Sequence, residues 1–275
     1  MGIGGILQAL VAAPSLIAQR GKLHQNLALV CLGAATVAIY PLAFYSSMRL
    51  SGVAVGTVIS IASAPIASAI LERAIDGHRL APRWFIAVAL CVAGSVMVCV
   101  ARVGSEPEAG AAMLTGAALG LIAGTTYALY TWVLQRLMQR EVPRGVAMGA
   151  VFGLGGVALI PVLIAAGSPF LASGSAAGVA VYMALIPMFA GYLLFGLGIA
   201  RVRASTATTL TLSEPAVAAA LAVWIVGERM AAMGWLGMAF IGIGLAVLTI
   251  AARPAWAHAP RFLTSSRSLP DVAPN

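Results

Sequence analysis

Charged residues are scarce in this chain. Only 9% of its 275 residues are Asp, Glu, Lys or Arg, whereas 61% are hydrophobic. Soluble domains carry roughly a quarter charged residues, and a soluble fold of this length could not bury so much apolar surface in its core. The scarcity of charge therefore excludes a soluble globular protein and indicates a chain that lies within a lipid bilayer.

Residues that support catalysis or metal binding are also few. The chain has only eight acidic residues, and its three histidines lie in predicted loops or in the C-terminal tail. No cluster of Asp residues could hold a catalytic magnesium ion, and no histidine could serve a nucleophile within a span. The three cysteines lie in apolar stretches at spacings that fit neither a disulfide framework nor a zinc site. We therefore expect no enzymatic activity, no metal and no cofactor.

The net charge of +8 does not indicate a nucleic-acid-binding protein. That interpretation would require basic residues clustered on one face of a soluble domain. Here the basic residues occupy short turns between apolar stretches, which is typical of membrane topology. No nucleic-acid partner is expected, and the expected partners are the lipid bilayer and a small-molecule substrate.

Nine apolar stretches approach the length of about 20 residues that crosses a bilayer of roughly 30 Å. Each must satisfy its backbone hydrogen bonds internally, so each is predicted to be a helix and the fold an all-α integral membrane bundle. The tail 253–275 is rich in Pro and Ser and is predicted to be disordered. The nine candidate spans are 1–18, 27–48, 53–72, 83–101, 111–133, 146–167, 177–199, 204–226 and 233–252.

The distribution of Lys and Arg predicts the orientation of these spans. If the C-terminus is cytoplasmic, 13 of the 16 basic residues fall on the cytoplasmic side. The positive-inside rule predicts such an asymmetry for a correct span count. We therefore expect a multi-pass protein with a cytoplasmic C-terminus. The three basic residues on the opposite side are Arg49, Arg102 and Arg229.

The chain contains an internal repeat with an offset of 150 residues. When 54–101 is shifted onto 204–251, Pro65 meets Pro215 and the turn Gly77-His78-Arg79 meets Gly227-Glu228-Arg229. The copies lie five spans apart, and this odd number means that they cross the membrane in opposite directions. Inverted repeats are typical of secondary transporters, which place the substrate between the two halves. Transport by alternating access is therefore the leading hypothesis.

Glu214 is the acidic side chain nearest the middle of a predicted span. An ionised group at this depth costs roughly 2.5–3.5 kcal/mol on insertion scales, so such groups usually face a cavity or a partner. Pro215 lacks a backbone donor and should disturb the turn that precedes it. One interpretation is a carboxylate that carries a proton or meets a substrate amine. The other is a protonated Glu that hydrogen-bonds to a neighbouring helix, and both remain open.

Other polar side chains in the spans are weaker candidates for a binding site. Thr211 shares a helix face with Glu214, and the matching face of the first copy carries hydroxyl groups. Such hydroxyls could line a cavity or could bond to their own helix backbone, while a buried Tyr is more often a packing residue. The candidate substrate-binding or coupling residues are Glu214, Thr211, Thr57, Ser60, Tyr40, Tyr45, Tyr127 and Tyr192.

Several motifs of the second half resemble an EamA-type transporter of the drug/metabolite transporter superfamily. They are Gly191-Tyr192-Leu193-Leu194-Phe195, Glu214-Pro215, Gly227-Glu228-Arg229 and Trp235-Leu236-Gly237. The first half repeats this pattern in degenerate form, as Ala64-Pro65 and Gly77-His78-Arg79. The residues that match the family motif are Pro65, Gly77, Arg79, Pro215, Gly227 and Glu228.

The resemblance implies two inverted repeats of five helices each, hence ten helices. It divides the chain into a first repeat (1–101) that lacks its first helix, a connecting loop (102–110), a second repeat (111–252) and the cytoplasmic tail (253–275). A start codon upstream or a truncated, non-transporting form would each explain the missing helix.

The resemblance further implies export of small metabolites across the bacterial inner membrane, with amino acids, amines and lipophilic cations all left open as substrates. Proton coupling and a homodimer are options that the residues leave open. A channel or facilitator for small solutes is the alternative function.

Overall fold

The computed structural model describes residues 1–77, 80–101, 111–227 and 230–250. Within these ranges the chain is helical and contains no strand, which confirms the predicted all-α membrane fold. The α-helices, in chain order, are α1 (Gly2–Ala18), α2 (Arg20–Gln25), α3 (Leu27–Ser51), α4 (Val53–Ile75), α5 (Pro82–Val100), α6 (Ala111–Gln139), α7 (Arg144–Ala158), α8 (Ile160–Ala166), α9 (Gly174–Leu185), α10 (Tyr192–Ile199), α11 (Ala204–Leu210), α12 (Glu214–Leu221) and α13 (Ala232–Ile250).

Eight helical segments of the described residues are long and apolar enough to cross a membrane. Three of them are composite, because α7 continues into α8, α9 into α10, and α11 into α12. The ninth predicted span, 1–18, is the shorter apolar helix α1, which packs against α7. The predicted connecting loop 102–110 and the predicted disordered tail 253–275 lie outside the described residues.

Equivalent glycines end the two repeat-related spans. Gly77 follows α4 with a φ of +67°, and Gly227 follows the span of α11 and α12 with a φ of +78°. These left-handed conformations are accessible to glycine without steric cost and commonly terminate helices. The matched Gly-x-Arg turns of the sequence therefore correspond to matched helix ends.

The last helix of each repeat packs against its counterpart. A Cβ atom on Gly94 of α5 would lie 2.5 Å from the carbonyl oxygen of Gly237 in α13. A Cβ atom on Gly244 of α13 would lie 2.8 Å from the carbonyl oxygen of Ala87 in α5. Gly94 and Gly244 are equivalent positions of the repeat, as are Ala87 and Gly237, so the second contact is the repeat-related copy of the first. The crossing of the two helices is therefore symmetric.

Between these two contacts, the Cys91 thiol lies 3.7 Å from the carbonyl oxygen of Ile241, its own repeat partner. The residue numbers rise along α5 as they fall along α13, so the two helices are antiparallel. A two-fold axis that exchanges antiparallel spans lies in the plane of the membrane. The crossing of α5 and α13 therefore has the geometry of inverted repeats.

The main core lies where α3, α6 and α7 pack together, with α4 against α3 and α6. Val37, Leu134 and Val151, one from each of the three central helices, are almost completely buried. A face of small residues on α6 permits close approach, since a Cβ on Gly124 would lie 2.4 Å from the carbonyl oxygen of Ser60 in α4. These contacts pack α3, α4 and α6 closely together.

Polar contacts join four turns at one end of the bundle. Lys22 donates to the carbonyl oxygen of Glu141 at 3.0 Å. Arg136 forms an ion pair with Asp76 at 3.3 Å, and Arg140 donates to Asn26 at 2.8 Å. Gln135 of α6 donates to the carbonyl oxygen of Val202, in the turn between α10 and α11. The turns of four of the five predicted cytoplasmic clusters of Lys and Arg thus meet at this end, which we call the basic end; the fifth cluster lies outside the described residues.

Candidate functional site

Glu214 lies where a membrane-spanning helix is interrupted. α11 ends at Leu210, one 3-10 turn covers Thr211–Ser213, and α12 begins at Glu214. Pro215 occupies the first turn of α12 and is buried. Because proline cannot donate a backbone hydrogen bond, the preceding turn tightens, as the sequence predicted.

The Glu214 side chain is exposed and lines a cavity of about 350 Å³. The cavity lies between the C-terminal part of α10 and the broken span of α11 and α12. Its wall is mostly apolar, and its polar side chains besides Glu214 are those of Thr211 and Ser213, which carry hydroxyl groups. A carboxylate in a membrane-spanning segment therefore opens onto a space that can hold a ligand. The apolar lining residues are Phe195, Gly198, Ile199, Val202, Ala207 and Leu210.

Aromatic rings from four helices form a continuous group beside this cavity, which we call the tyrosine cluster. The ring centroids of Tyr40 in α3 and Tyr127 in α6 are 5.5 Å apart. Tyr192 in α10 lies 4.6 Å from Phe152 in α7. Phe195 packs against both Tyr127 and Tyr192 and also lines the cavity, so it connects the two. The cluster comprises Tyr40, Phe44, Tyr45, Tyr127, Tyr130, Phe152, Tyr192 and Phe195.

Glu214 interacts electrostatically with three of these tyrosines, Tyr40, Tyr127 and Tyr192. Thr211, one turn earlier, interacts with the hydroxyl group of Tyr127. The structure thus brings Glu214, Thr211 and these three candidate tyrosines together from four separate helical segments. A carboxylate flanked by aromatic rings can bind a cation, because ring faces and the carboxylate both attract positive charge.

The remaining candidates lie farther from the cavity. Tyr45 is 59% exposed and lies at the edge of the tyrosine cluster, where its ring contacts Phe44 at a centroid distance of 5.5 Å. Ser60 is buried and donates to the carbonyl oxygen of Gly56 at 2.7 Å, within its own helix. Thr57 is half-buried on the same helix, and neither hydroxyl lines the cavity beside Glu214.

Of the four family-motif residues that the structure describes, three lie at a helix break or a helix end and one lies inside a continuous helix. Pro65 is buried inside α4, which continues through it, whereas Pro215 follows a break. Gly77 and Gly227 end their spans as described above. Arg79 and Glu228 lie outside the described residues.

Two further polar residues were missed by the sequence-based reasoning. Glu72 is only 2% exposed, and its carboxylate accepts hydrogen bonds from the backbone N–H and the hydroxyl of Ser205, at 2.9 and 2.7 Å. Gln135 in α6 donates to the carbonyl oxygens of Ile199 and Val202. Both side chains tie the turn between α10 and α11 to the basic end.

The signal for Glu72 was present in the sequence. Ser60, Ala64 and Ser68 lie on one face of α4, and Glu72 is the next residue at the same helical spacing. Glu72 is the last residue of the predicted span 53–72, and its burial against Ser205 depends on how α4 packs against α11, which periodicity does not show.

Comparisons with known proteins place the chain among membrane transporters. The model of the EamA-like transporter family matches residues 114–250. An uncharacterized transporter of Bacillus subtilis, YwfM, is 34% identical over 225 residues, which cover 82% of this chain and 74% of that protein. An uncharacterized transporter of Clostridium kluyveri is 27% identical over 183 residues, 66% of this chain and 57% of that protein.

A solved crystal structure shares the fold. It superimposes with a TM-score of 0.75 at 18% sequence identity and covers 92% of this chain and 86% of its own. The helical arrangement described above therefore also occurs in a protein of distant sequence.

Proposed function

Because this chain belongs to the EamA-like transporter family, we propose that it is a secondary transporter that exports small metabolites such as amino acids or amines across the bacterial inner membrane. The observation that carries the proposal is the exposed Glu214 carboxylate in the cavity between α10 and the broken span. Such a group is costly within a bilayer unless it serves a ligand or a proton.

Glu214 is proposed to bind the amine of the substrate and also to carry the coupling proton. An ionised carboxylate attracts an ammonium group, whereas a protonated carboxyl has lost the charge that makes this attraction strong. Proton and amine therefore compete for one group, which couples their movements. The aromatic ring of Phe195, which lines the same cavity, would favour the same cationic ligand.

Alternating access is supported by the arrangement of the repeats. The crossing of α5 and α13 relates the two halves by an axis in the membrane plane, which would allow them to exchange conformations. At the basic end, Glu72 and Gln135 tie α4 and α6 to the start of α11.

The proposal is tested by export from bacterial cells that carry the wild-type chain, Glu214→Gln or an empty vector, across a panel of amino acids, amines and lipophilic cations. We expect the wild type to export amine-bearing substrates selectively, and Glu214→Gln to fall to the level of the empty vector. The matched control is Glu141→Gln, which removes an exposed carboxylate at the basic end. Export by Glu214→Gln at the wild-type rate would contradict the role of Glu214.

Proteoliposomes separate substrate binding from proton coupling. We expect an imposed pH gradient to drive accumulation of the exported substrate with the wild type but not with Glu214→Gln. Fluxes that rise linearly with substrate concentration and never saturate would identify a channel instead of a carrier.

A further inference from the structure

A second concave site lies on another part of the molecule, between α4 and α5. This groove has a volume of about 480 Å³ and is separate from the cavity at Glu214. Its α4 wall follows helical spacing from Ile66 through Ala69 and Ile70 to Arg73. Its α5 wall comprises Trp84, Phe85, Val88, Ala89 and Val92.

The groove is apolar along its length. Ile66, Ile70 and Phe85 are 50%, 62% and 57% exposed, so their side chains are open to the surroundings of the bundle. In a membrane-spanning protein these surroundings are lipid, and a concave apolar wall between two spans fits an acyl chain. Exposed apolar residues alone would not distinguish this groove from any other lipid-facing surface. What distinguishes it are polar residues where the groove approaches the basic end of the bundle.

Arg73 and Trp84, which both carry hydrogen-bond donors, line the groove near that end. Arg73 is exposed and forms no ion pair with any described residue. Trp84 is 93% buried, and its indole N–H has no hydrogen-bond partner in the described part of the chain. A buried donor without a partner costs free energy, so an acceptor supplied by a ligand would be favoured there.

The charges around the groove favour an anionic acceptor. The two nearest acidic residues in α4 and its C-cap are held elsewhere, Glu72 by Ser205 and Asp76 by Arg136 and Trp132. Arg83, in the first turn of α5, is exposed and also forms no ion pair with a described residue. Among the described residues no carboxylate lines the groove, so these residues leave the positive charge at its mouth uncompensated.

We propose that this groove binds an anionic phospholipid of the leaflet at the basic end. The acyl chain lies between α4 and α5, and the phosphate accepts hydrogen bonds from the Arg73 guanidinium and the Trp84 indole. Basic sites between membrane helices on the cytoplasmic side are suited to such headgroups. The site is independent of the transported substrate and of the role of Glu214.

The test is native mass spectrometry of the purified protein titrated with phosphatidylglycerol or phosphatidylcholine. We expect the wild type to retain one phosphatidylglycerol in preference to phosphatidylcholine. Arg73→Gln should weaken this binding about fivefold, the factor expected for one basic residue at a membrane surface. Trp84→Phe, which removes the donor but keeps an aromatic ring, should also weaken it. The control is Arg144→Gln, an exposed arginine at the start of α7 that should leave binding unchanged.

A steric variant keeps the test independent of charge. Ile70 is largely exposed, so Ile70→Trp should fold normally, fill the groove and displace the lipid. Glycerol phosphate, the headgroup without acyl chains, should not compete.

Equal binding of both lipids, or wild-type affinity in all three groove variants, would overturn the proposal. So would a wild-type dimer that these variants dissociate, because the groove would then be covered by a second copy of the chain.

Discussion

Two carboxylates of the membrane-spanning helices occupy opposite environments. Glu214 is exposed to a cavity and accepts no hydrogen bond from any described residue, whereas Glu72 is almost completely buried and accepts two from Ser205. Glu214 is therefore free to meet a ligand, and Glu72 holds the start of α11 in place.

We predict that Glu72→Ala destabilises the protein by about 2 kcal/mol, because it removes the carboxylate acceptor and leaves the Ser205 donors buried without a partner. The free energy of unfolding is measured by titration of the purified protein with a denaturing detergent. Ser205→Ala removes one of the two donors and should cost less.

A double-mutant cycle separates this bond from general packing. After Glu72→Ala, the further change Ser205→Ala should cost little, because the hydroxyl has already lost its acceptor. Additive losses would mean that the two residues stabilise the protein separately. Glu141→Ala, on an exposed carboxylate, is the matched control and should change stability little.

Among the helices, α5 and α13 make the closest approach between the two repeats. Gly94 leaves no room for a side chain, since its Cβ would lie 2.5 Å from the backbone oxygen of Gly237. The obstacle is backbone and not a flexible side chain, so relief requires the helices to separate. We predict that Gly94→Ala destabilises the protein by roughly 1–3 kcal/mol, the usual cost of overpacking.

Gly242 provides the control for this prediction on the same pair of helices. A Cβ there meets no atom within 4 Å. Gly242→Ala should be neutral or stabilising, because alanine favours a helix by about 1 kcal/mol over glycine. Equal losses for Gly94→Ala and Gly242→Ala would show that helix propensity, and not the crossing, sets the cost.

The elements were largely predictable, because span length, turn chemistry and the repeat are local properties of the chain. The break before Pro215 followed from the missing donor of proline. The same argument would predict a break before Pro65, but α4 continues through this residue. Whether a helix tolerates proline depends on its neighbours, and α4 is held along its length by α3 and α6.

At the scale of the whole molecule, the sequence predicted the candidate site only as a set of separate residues and not as an arrangement in space. Tyr40, Tyr127, Tyr192 and Glu214 are far apart in sequence, and their meeting depends on how α3, α6, α10 and the broken span pack. Periodicity gives the face of each helix but not the partner of that face. For this reason Thr57 and Ser60 were equal candidates in the sequence, although the structure places them away from the cavity.

The orientation of the whole molecule in the membrane gives the last prediction. The structure gathers residues of four basic turns at one end of the bundle, and the positive-inside rule assigns that end to the cytoplasm. Gln139 is the last residue of α6 and lies at this basic end. Ser173 is exposed and precedes α9. It therefore lies at the other side of the membrane from the turn between α10 and α11, where the span of α9 and α10 reaches the basic end.

In a background without Cys31, Cys91 and Cys99, a membrane-impermeant thiol reagent should label Ser173→Cys in intact cells. It should label Gln139→Cys only after the membrane is permeabilised. Ser173 also caps α9 by accepting from the N–H of Ala176, so the exposed neighbour Ala172→Cys serves as a second reporter that keeps the cap. Labelling of Gln139→Cys in intact cells and protection of both outer reporters would invert the orientation, and the leaflet of the phospholipid groove would change with it.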